Sequence, residues 1–417
     1  MISSKFHKLI FLKHLLFFTK AYKIQRKNYK IHIDLIILEI YNYFTMAKKN
    51  KKALRWKKLD LFKFALTWVD NLKIKKGAVS EYSPWWIFIY DWRLLIDGWL
   101  SDFLTGNYRF MPMIVNRIPN DDPVTMWDYR DRLIIKFIHK IITPIFKHIV
   151  SPLCYHLSGA SGVKKAVKKI KEVLEYKNFR YFIRADISSY YASINRKILT
   201  NQIKEYFYDP RLLKYLTEII NISIYDGGNI FTPDKGLPRR SSLSPFFGAV
   251  YLAPLDRAFE AVKGVFYIRF MDDIIILTEN KKQYLRAKRK LKNILFQLKL
   301  SLSKRKTKMG KLETGFHFLG VSFSLPQSNE KTKIHSVISI HDRSCRRALD
   351  KIHAMGNGVV DPTKARIYLS NWAKWWSRTL RRYYSYTDCI KHWTLLVTKG
   401  PSAALGLIGL DLLPDSH

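Results

Sequence analysis

The residues best suited to chemistry lie in the run YIRFMDDIIIL, residues 267–277. Asp272 and Asp273 sit side by side among aromatic and β-branched residues that read as strand. Ionised carboxylates are expensive to bury without a cation or hydrogen-bond donors to meet them. Neighbouring side chains on a strand point to opposite faces, so both acids reach one centre only from a tight turn between Tyr267–Phe270 and Ile274–Leu277. Asp186 closes a second apolar strand, Tyr181–Ile183, and supplies a third carboxylate. Oxygen ligands without His or Cys companions suit Mg²⁺ or Mn²⁺ rather than zinc. Two such ions about 3.5–4 Å apart activate an attacking hydroxyl and steady a leaving pyrophosphate in phosphoryl transfer. An Asp-Asp turn is also a common solvent-exposed feature. Asp186 at a second strand end, on a strongly cationic chain, favours the metal.

Charge narrows the partner. Against 73 Lys+Arg stand 33 Asp+Glu, a net +40 over 417 residues. Such an excess on a folded chain predicts a polyanion, nucleic acid first and an anionic membrane surface second. With 47% hydrophobic and 14% aromatic residues the chain is globular, and it is long enough for two or three subdomains. Cys154, Cys345 and Cys389 lie far apart, which suggests a reducing compartment and excludes the usual zinc ribbons. Residues 1–45 are basic and apolar, but Lys13 and His14 interrupt LIFLKHLLFF, leaving it too short to span a bilayer. Met46 opens MAKKNKK like an ordinary cytoplasmic N-terminus, so residues 1–45 read as a non-essential extension and the expected setting is cytoplasmic, without a membrane.

The elements that must position the acids follow from periodicity. WKKLDLFKFALTWV, SPWWIFIYDWRLLIDGWL and DRLIIKFIHKIITPIFKHIV predict helices, the last one buried. Gly159 and Gly162 precede a helix with Val163, Val167, Ile170 and Leu174 on one face and Lys164, Lys165, Lys168 and Lys171 on the other. A glycine turn entering a basic helix suits a phosphate, and a solvated lysine face is the equal alternative. FRYFIRADISSYYASI reads as a strand ending in a turn, and residues 196–224 as helical. KGLPRRSSLSPFFGAVYL is a loop and helix, with Ser244 as N-cap and Pro245 at the first helical position. YLRAKRKLKNILFQLKL is a basic amphipathic helix, and FHFLGVSFSL returns to strand. This order predicts an α+β fold with an antiparallel sheet.

In that frame FMDD resembles the Y/F-x-D-D signature of reverse transcriptases. RADISSYYASI is similar to their first catalytic motif, GLPRRSSLSPFFGAVYL to the segment that usually reads G-x-P-Q-G-x-x-x-S-P, and SKRKTKMGKLETGFHFLG to the Lys-Thr motif and primer-grip hairpin. The motifs follow the family order across residues 180–325. CYHLSGASG and the RFMDD variant place the resemblance with bacterial retroelement- and defence-associated enzymes, related to those of group II introns and retrons. The resemblance implies a right-hand polymerase: residues 46–179 as N-terminal and fingers region, 180–330 as palm (with 196–235 partly fingers), and 331–417 as a helical basic thumb.

It also implies roles. Asp186 and Asp272 would be the main ligands of two Mg²⁺ (or Mn²⁺) ions, with Asp273 ligating or supporting and the Ile187 carbonyl facing a metal. Tyr191 would be the ring that excludes a 2′-hydroxyl, with adjacent Tyr190 as the alternative, since only one of the two faces the site. Ser244 and Pro245 would begin the helix under template and primer, Lys306 would meet the departing pyrophosphate, and Phe318, Leu319 and Gly320 would grip the primer end. Arg239 and Arg240 stand where relatives carry Gln-Gly, and two arginines clamp phosphates or stack on bases where a glycine would admit the backbone closely. Arg117, Arg130 and Arg132 are candidates for holding the triphosphate. The implied partners are deoxynucleotides, a DNA or RNA primer and an RNA template, here a structured non-coding RNA.

Residues 331–417 carry six scattered Asp and no Glu, so neither an RNase H site nor a metal nuclease is expected there. Arg343, Arg346, Arg347, Arg378, Arg381 and Arg382 alternate with Trp372, Trp375, Trp376, Tyr383 and Tyr384. That mixture suits a clasp on nucleic acid, with the tryptophans mainly forming core. Three competing readings remain: an RNA-dependent RNA polymerase, which Tyr191 opposes; a catalytically silent nucleic-acid-binding or maturase-like protein, which the intact acids oppose; and a membrane-surface protein, supported by residues 1–45 alone.

Overall fold

The computed structural model describes residues 58–76, 84–117, 123–157, 159–237, 241–324, 337–354, 362–380 and 385–398, all within one unit that begins at Trp56. The expectation for residues 1–45 and the arginines at 239 and 240 lie outside the described residues, as do Arg381, Arg382, Tyr383 and Tyr384.

Two helices come first, α1 (Lys58–Lys76) and α2 (Pro84–Thr105), followed by strands β1 (Met113–Asn116) and β2 (Val124–Met126). Helix α3 (Tyr129–Ile149) is capped by Asp128, whose carboxylate accepts from the Arg130 amide. Helix α4 (Gly162–Tyr176) buries Ala166, Val167, Ile170, Val173 and Leu174 and turns its lysines outward. Then come β3 (Tyr181–Asp186), the short α5 (Tyr190–Ser193), α6 (Arg196–Tyr206) and α7 (Pro210–Ile220), and the hairpin β4 (Ile224–Asp226) and β5 (Asn229–Phe231). The stretch expected to be one helical run is therefore broken: Asp209 caps a new helix at Pro210, and Ile224 enters a strand.

Helices α8 (Ser244–Tyr251) and α9 (Ala253–Glu260) lead to the hairpin β6 (Val265–Phe270) and β7 (Asp273–Thr278). Next are α10 (Lys281–Gln297), β8 (Lys308–Lys311), the hairpin β9 (Phe316–Phe318) and β10 (Val321–Ser324), and β11 (Val337–Ile340). The C-terminal part is helical, as expected, with α11 (Asp342–Ala354), α12 (Pro362–Thr379) and α13 (Tyr386–Thr398).

Three sheets result. The order β6-β7-β3-β8 is antiparallel throughout and forms the centre. The order β2-β1-β4-β5 was not legible from pattern, because its strands are three or four residues long and largely exposed. The third sheet is β11-β10-β9. One face of the central sheet (Phe182, Ile268, Ile275, Leu277) shares a hydrophobic core with α4, the β9–β10 hairpin and the C-terminal helices. Trp376 and Trp393 belong to that core, while Trp372 and Trp375 pack on it partly buried. Helix α10 buries Ala287, Leu291 and Leu295 at four-residue spacing and packs on β3 and β7. Among the described residues no helix is long and apolar enough to cross a membrane.

Candidate active site

Strand pairing brings two of the three acids face to face. Asp186, the last residue of β3, lies opposite Asp273, the first of β7. Directly opposed residues of antiparallel strands share a face, so moving away from the tip that face carries Arg184 opposite Ile275, then Phe182 opposite Leu277. Arg184, only 9% exposed, thus lies between the acids and the apolar core. Its guanidinium donates to Asp273 Oδ1 at 3.0 Å and to the Lys306 carbonyl at 2.7 Å. Asp273 is therefore bound by an internal cation.

Asp272 occupies the two-residue turn with Met271, whose φ of 56° is left-handed. The expected acidic hairpin tip is present, with Asp272 in the turn and Asp273 already in β7. Burial raises the Asp272 carboxyl above the usual range, with Asp273 and Asp186 adding like charge and Lys306 opposing. Burial also raises Asp273, partly offset by Arg184. Asp186 is 6% exposed, and its Oδ2 is buried without a hydrogen-bond partner. Lys306 Nζ stands 3.5 Å from that oxygen, an ion pair rather than a hydrogen bond. Asp186 directs its carbonyl to the Ser303 amide and its amide to Thr307 Oγ1. Among the described residues no three His, Cys, Asp or Glu side chains form a ready-made metal cage. What the tip offers is an all-oxygen set with a buried orphan acceptor, a fit for a hard cation.

The left-handed turn is held from both sides of Met271. Its amide donates to His156 Nδ1 at 3.1 Å, and its carbonyl accepts from Arg269 Nη1 at 2.8 Å. His156 Nε2 meets the Pro245 carbonyl at 3.1 Å, which fixes the neutral tautomer with its proton on Nε2. Burial, seconded by Arg269, lowers the His156 pKa to about 4. Arg269 is wholly buried and forks onto Asp256, at 2.8 and 2.5 Å, and Tyr267 donates to the same carboxylate at 2.6 Å. Sequence reasoning passed over His156, Arg269, Asp256 and Arg184. The signal for Arg269 was present, since a guanidinium inside YIRF needs a counter-charge as much as an acid does.

The two tyrosines differ in burial and surroundings. Tyr190 is buried and donates to the Gly248 carbonyl at 2.5 Å. Tyr191 is half-buried, and burial together with Asp272 pushes its hydroxyl up to about 12. Tyr191 is thus the ring on the side of the acids. A Cβ at Gly248 would lie 3.4 Å from the Tyr191 hydroxyl and 3.3 Å from the Tyr190 ring, so this glycine admits both.

Other expected residues fall as follows. Ser244 is the first helical residue of α8 and Pro245 the second, one place later than expected; Leu243 holds the cap position without a side-chain bond. Ser241 explains the shift, since its hydroxyl accepts from the Leu243 amide and its carbonyl from the Ser244 amide. Phe318, Leu319 and Gly320 do form a hairpin corner, with left-handed φ at both turn residues, but Phe318 is wholly buried. The Gly320 carbonyl accepts from the His341 amide at 2.9 Å and Ser344 Oγ at 3.3 Å, tying the hairpin to the start of α11. Arg117 forks onto Asp226, Arg130 stacks over Tyr108 and Arg132 over Tyr129. None of the three meets the acids in a described contact.

Residues 121–323 match the family described as reverse transcriptase (RNA-dependent DNA polymerase). The chain is similar to Protein YkfC of Escherichia coli (strain K12), 23% identical over 261 residues, 53% of this chain and 68% of that one. Among solved structures it is similar to apo telomerase from Candida tropicalis truncated from its C-terminal domain, at 14% identity and TM-score 0.43, spanning 60% of each chain. A second is telomerase from Candida albicans in complex with a TWJ fragment of telomeric RNA, at 11% identity and TM-score 0.41, covering 78% of this chain and 69% of that one.

Proposed function

We propose that the protein, whose residues 121–323 match the reverse-transcriptase family, is an RNA-directed DNA polymerase adding deoxynucleotides to a primer 3′-hydroxyl. The observation that carries the reading is the buried Oδ2 of Asp186, which has Lys306 as an ion-pair neighbour but no hydrogen bond, beside the acidic turn of Asp272. Asp186, Asp272 and the Ile187 carbonyl would hold divalent ions, Mg²⁺ foremost. When bound, these supply charge neutralisation at the attacking oxygen and the leaving pyrophosphate. Asp273, held by Arg184, supports the ligands by keeping the tip in register. Lys306 at the mouth of the tip neutralises the departing pyrophosphate. Tyr191 lies beneath the incoming sugar and rejects a 2′-hydroxyl.

Within this reading residues 46–179 and 196–235 supply fingers, 180–330 the palm and 331–417 the thumb. Ser244, Pro245 and the Phe318–Gly320 corner carry template and primer. The biological setting in keeping with the sequence motifs is a bacterial, cytoplasmic retroelement or antiphage system with a structured RNA template.

Primer extension on an RNA template tests it. Asp186→Asn and Asp272→Asn should each abolish deoxynucleotide addition while oligonucleotide affinity stays within about twofold, because in this reading both acids serve the metal rather than the template. An equal loss of affinity would make these acids structural, and a non-catalytic binding scaffold would be the better reading.

A further inference from the structure

Helix α2 is apolar on both sides. Phe88, Trp92, Ile96 and Leu100 form its buried stripe, packed on α1 and α3. An amphipathic helix then turns a polar side to water. Here Ile87, Tyr90 and Leu94 stand on the outer side, 69%, 76% and 82% exposed. A helix apolar all round is normally buried, and an exposed row of this kind marks a contact surface. A groove of about 330 Å³ runs beside the row, with Ile87, Asp91, Leu95 and Met111 in its walls. The charge is equally unlike the rest of the chain. Residues 84–105 hold three Asp and one Arg, against a net +40 overall. Asp91 and Asp97 flank the row, Asp97 also meeting Lys58 at 3.3 Å. Such a face disfavours a polyanion or an anionic bilayer and suits a protein surface that is apolar and basic.

Helix α10 carries a surface of that kind. Its buried side, Ala287, Leu291 and Leu295, packs on β3, β7 and α9. On the other side Leu285, Arg289, Lys292 and Phe296 follow at steps of four, three and four residues, one line along the helix, and all four are exposed. Phe296 is 82% exposed. Phosphates alone would call for the cations but not the phenylalanine; an apolar, acidic helix calls for both. We propose that α2 of one copy docks on α10 of a second copy, with the apolar row against Leu285 and Phe296 and the acids against Arg289 and Lys292. The two faces lie on different elements, so the contact is head-to-tail, and its repetition builds rings or filaments, not a closed symmetric dimer. The 17 residues of α10 span about 25 Å, the small end of specific interfaces, so association is expected in the micromolar range. The proposal concerns assembly and stands apart from the polymerase reading.

Sedimentation velocity on the nuclease-treated full chain tests it, from about 1 to 50 µM protein in about 0.15 M NaCl. The wild type should grow beyond the monomer as concentration rises. Asp91→Arg and Arg289→Glu, both at exposed positions, should each weaken association about tenfold or more, because each sets like charges against one another. Combining the two in one chain restores opposite charges and should recover most of the wild-type association. A monomer throughout the range would overturn the proposal, and so would a double variant no better than the single ones. Association seen only without nuclease treatment would overturn it too, leaving nucleic acid as the bridge. Association lost in Leu94→Asn but kept in Arg289→Glu would mean that α2 pairs with itself, again against the proposal.

Discussion

The wholly buried guanidinium of Arg269 donates to the main-chain carbonyl of Met271 at 2.8 Å. Together with His156 on the Met271 amide, it holds a non-glycine residue in a left-handed conformation beside Asp272. Such backbone costs about 1–2 kcal/mol and persists only where its surroundings over-determine it. The position of Asp272 is thus set by groups that bond the Met271 backbone and not the carboxylate itself.

His156→Ala leaves the Met271 amide and Pro245 carbonyl without their partner. We expect a folded protein, less stable by about 1–3 kcal/mol, whose maximal rate of nucleotide addition drops at least tenfold while the deoxynucleotide KM changes little. A stability loss with an unchanged maximal rate would show that the turn holds without the imidazole. Asp256→Ala, by contrast, strands a buried arginine and should destabilise by about 3–5 kcal/mol in denaturant titration.

Tyr191→Val should admit ribonucleotides, measured as the ratio of ribo- to deoxynucleotide incorporation. Tyr190→Phe should leave that ratio unchanged and cost about 1 kcal/mol for the lost bond to Gly248. Gly248→Ala should shift the ratio as well, because its methyl would lie 3.3 Å from the Tyr190 ring and 3.4 Å from the Tyr191 ring and hydroxyl, taking up the space between the two tyrosines. Loss of discrimination in Tyr190→Phe alone would reverse the assignment.

Asp272 and Asp273 are raised by burial, so each binds a proton more readily in the folded than in the unfolded chain. The penalty is absent below the ordinary carboxylate range and complete above the raised values, so metal-free stability falls as pH rises through that window. At neutral pH Asp272→Asn should therefore raise the melting midpoint in chelated buffer. Mg²⁺ should raise the wild-type midpoint more than that of the variant. Equal Mg²⁺ responses would remove Asp272 from the ligand set.

Gly320 and Gly98 should respond to alanine with opposite signs. At Gly320 a Cβ would lie 2.6 Å from Ser344 Oγ and 3.0 Å from the Trp376 ring, at a φ of 83°. The variant should lose about 1–3 kcal/mol. At Gly98, inside α2, a Cβ meets nothing within 4 Å, and alanine should gain about 0.5–1 kcal/mol. Thermal denaturation of the two variants checks both.

Sequence made the acidic tip legible because two carboxylates within an apolar run violate local pattern, and the violation is visible without neighbours. The antiparallel central sheet followed from the order of strand and helix segments along the chain. Register was not legible: that Asp273 meets Arg184 depends on β3 and β7 aligning Asp186 with Asp273, a fact of pairing across many residues. His156 lies 115 residues before the turn that it secures, so nothing in CYHLSGASG announces the bond. Ser244 was misplaced by one position because the helix starts one residue earlier, where Ser241 bonds the Leu243 and Ser244 amides.

The seat of Gly320 under Ser344 and Trp376 has a consequence for the chain beyond β10. Severing the protein after Ser324 would leave Phe318, Val321 and Phe323 facing water, with the corner's carbonyl unanswered. The last helices are therefore a keystone for the β9–β10 hairpin, and a tilt of α11 or α12 reaches its corner with little slack to absorb it.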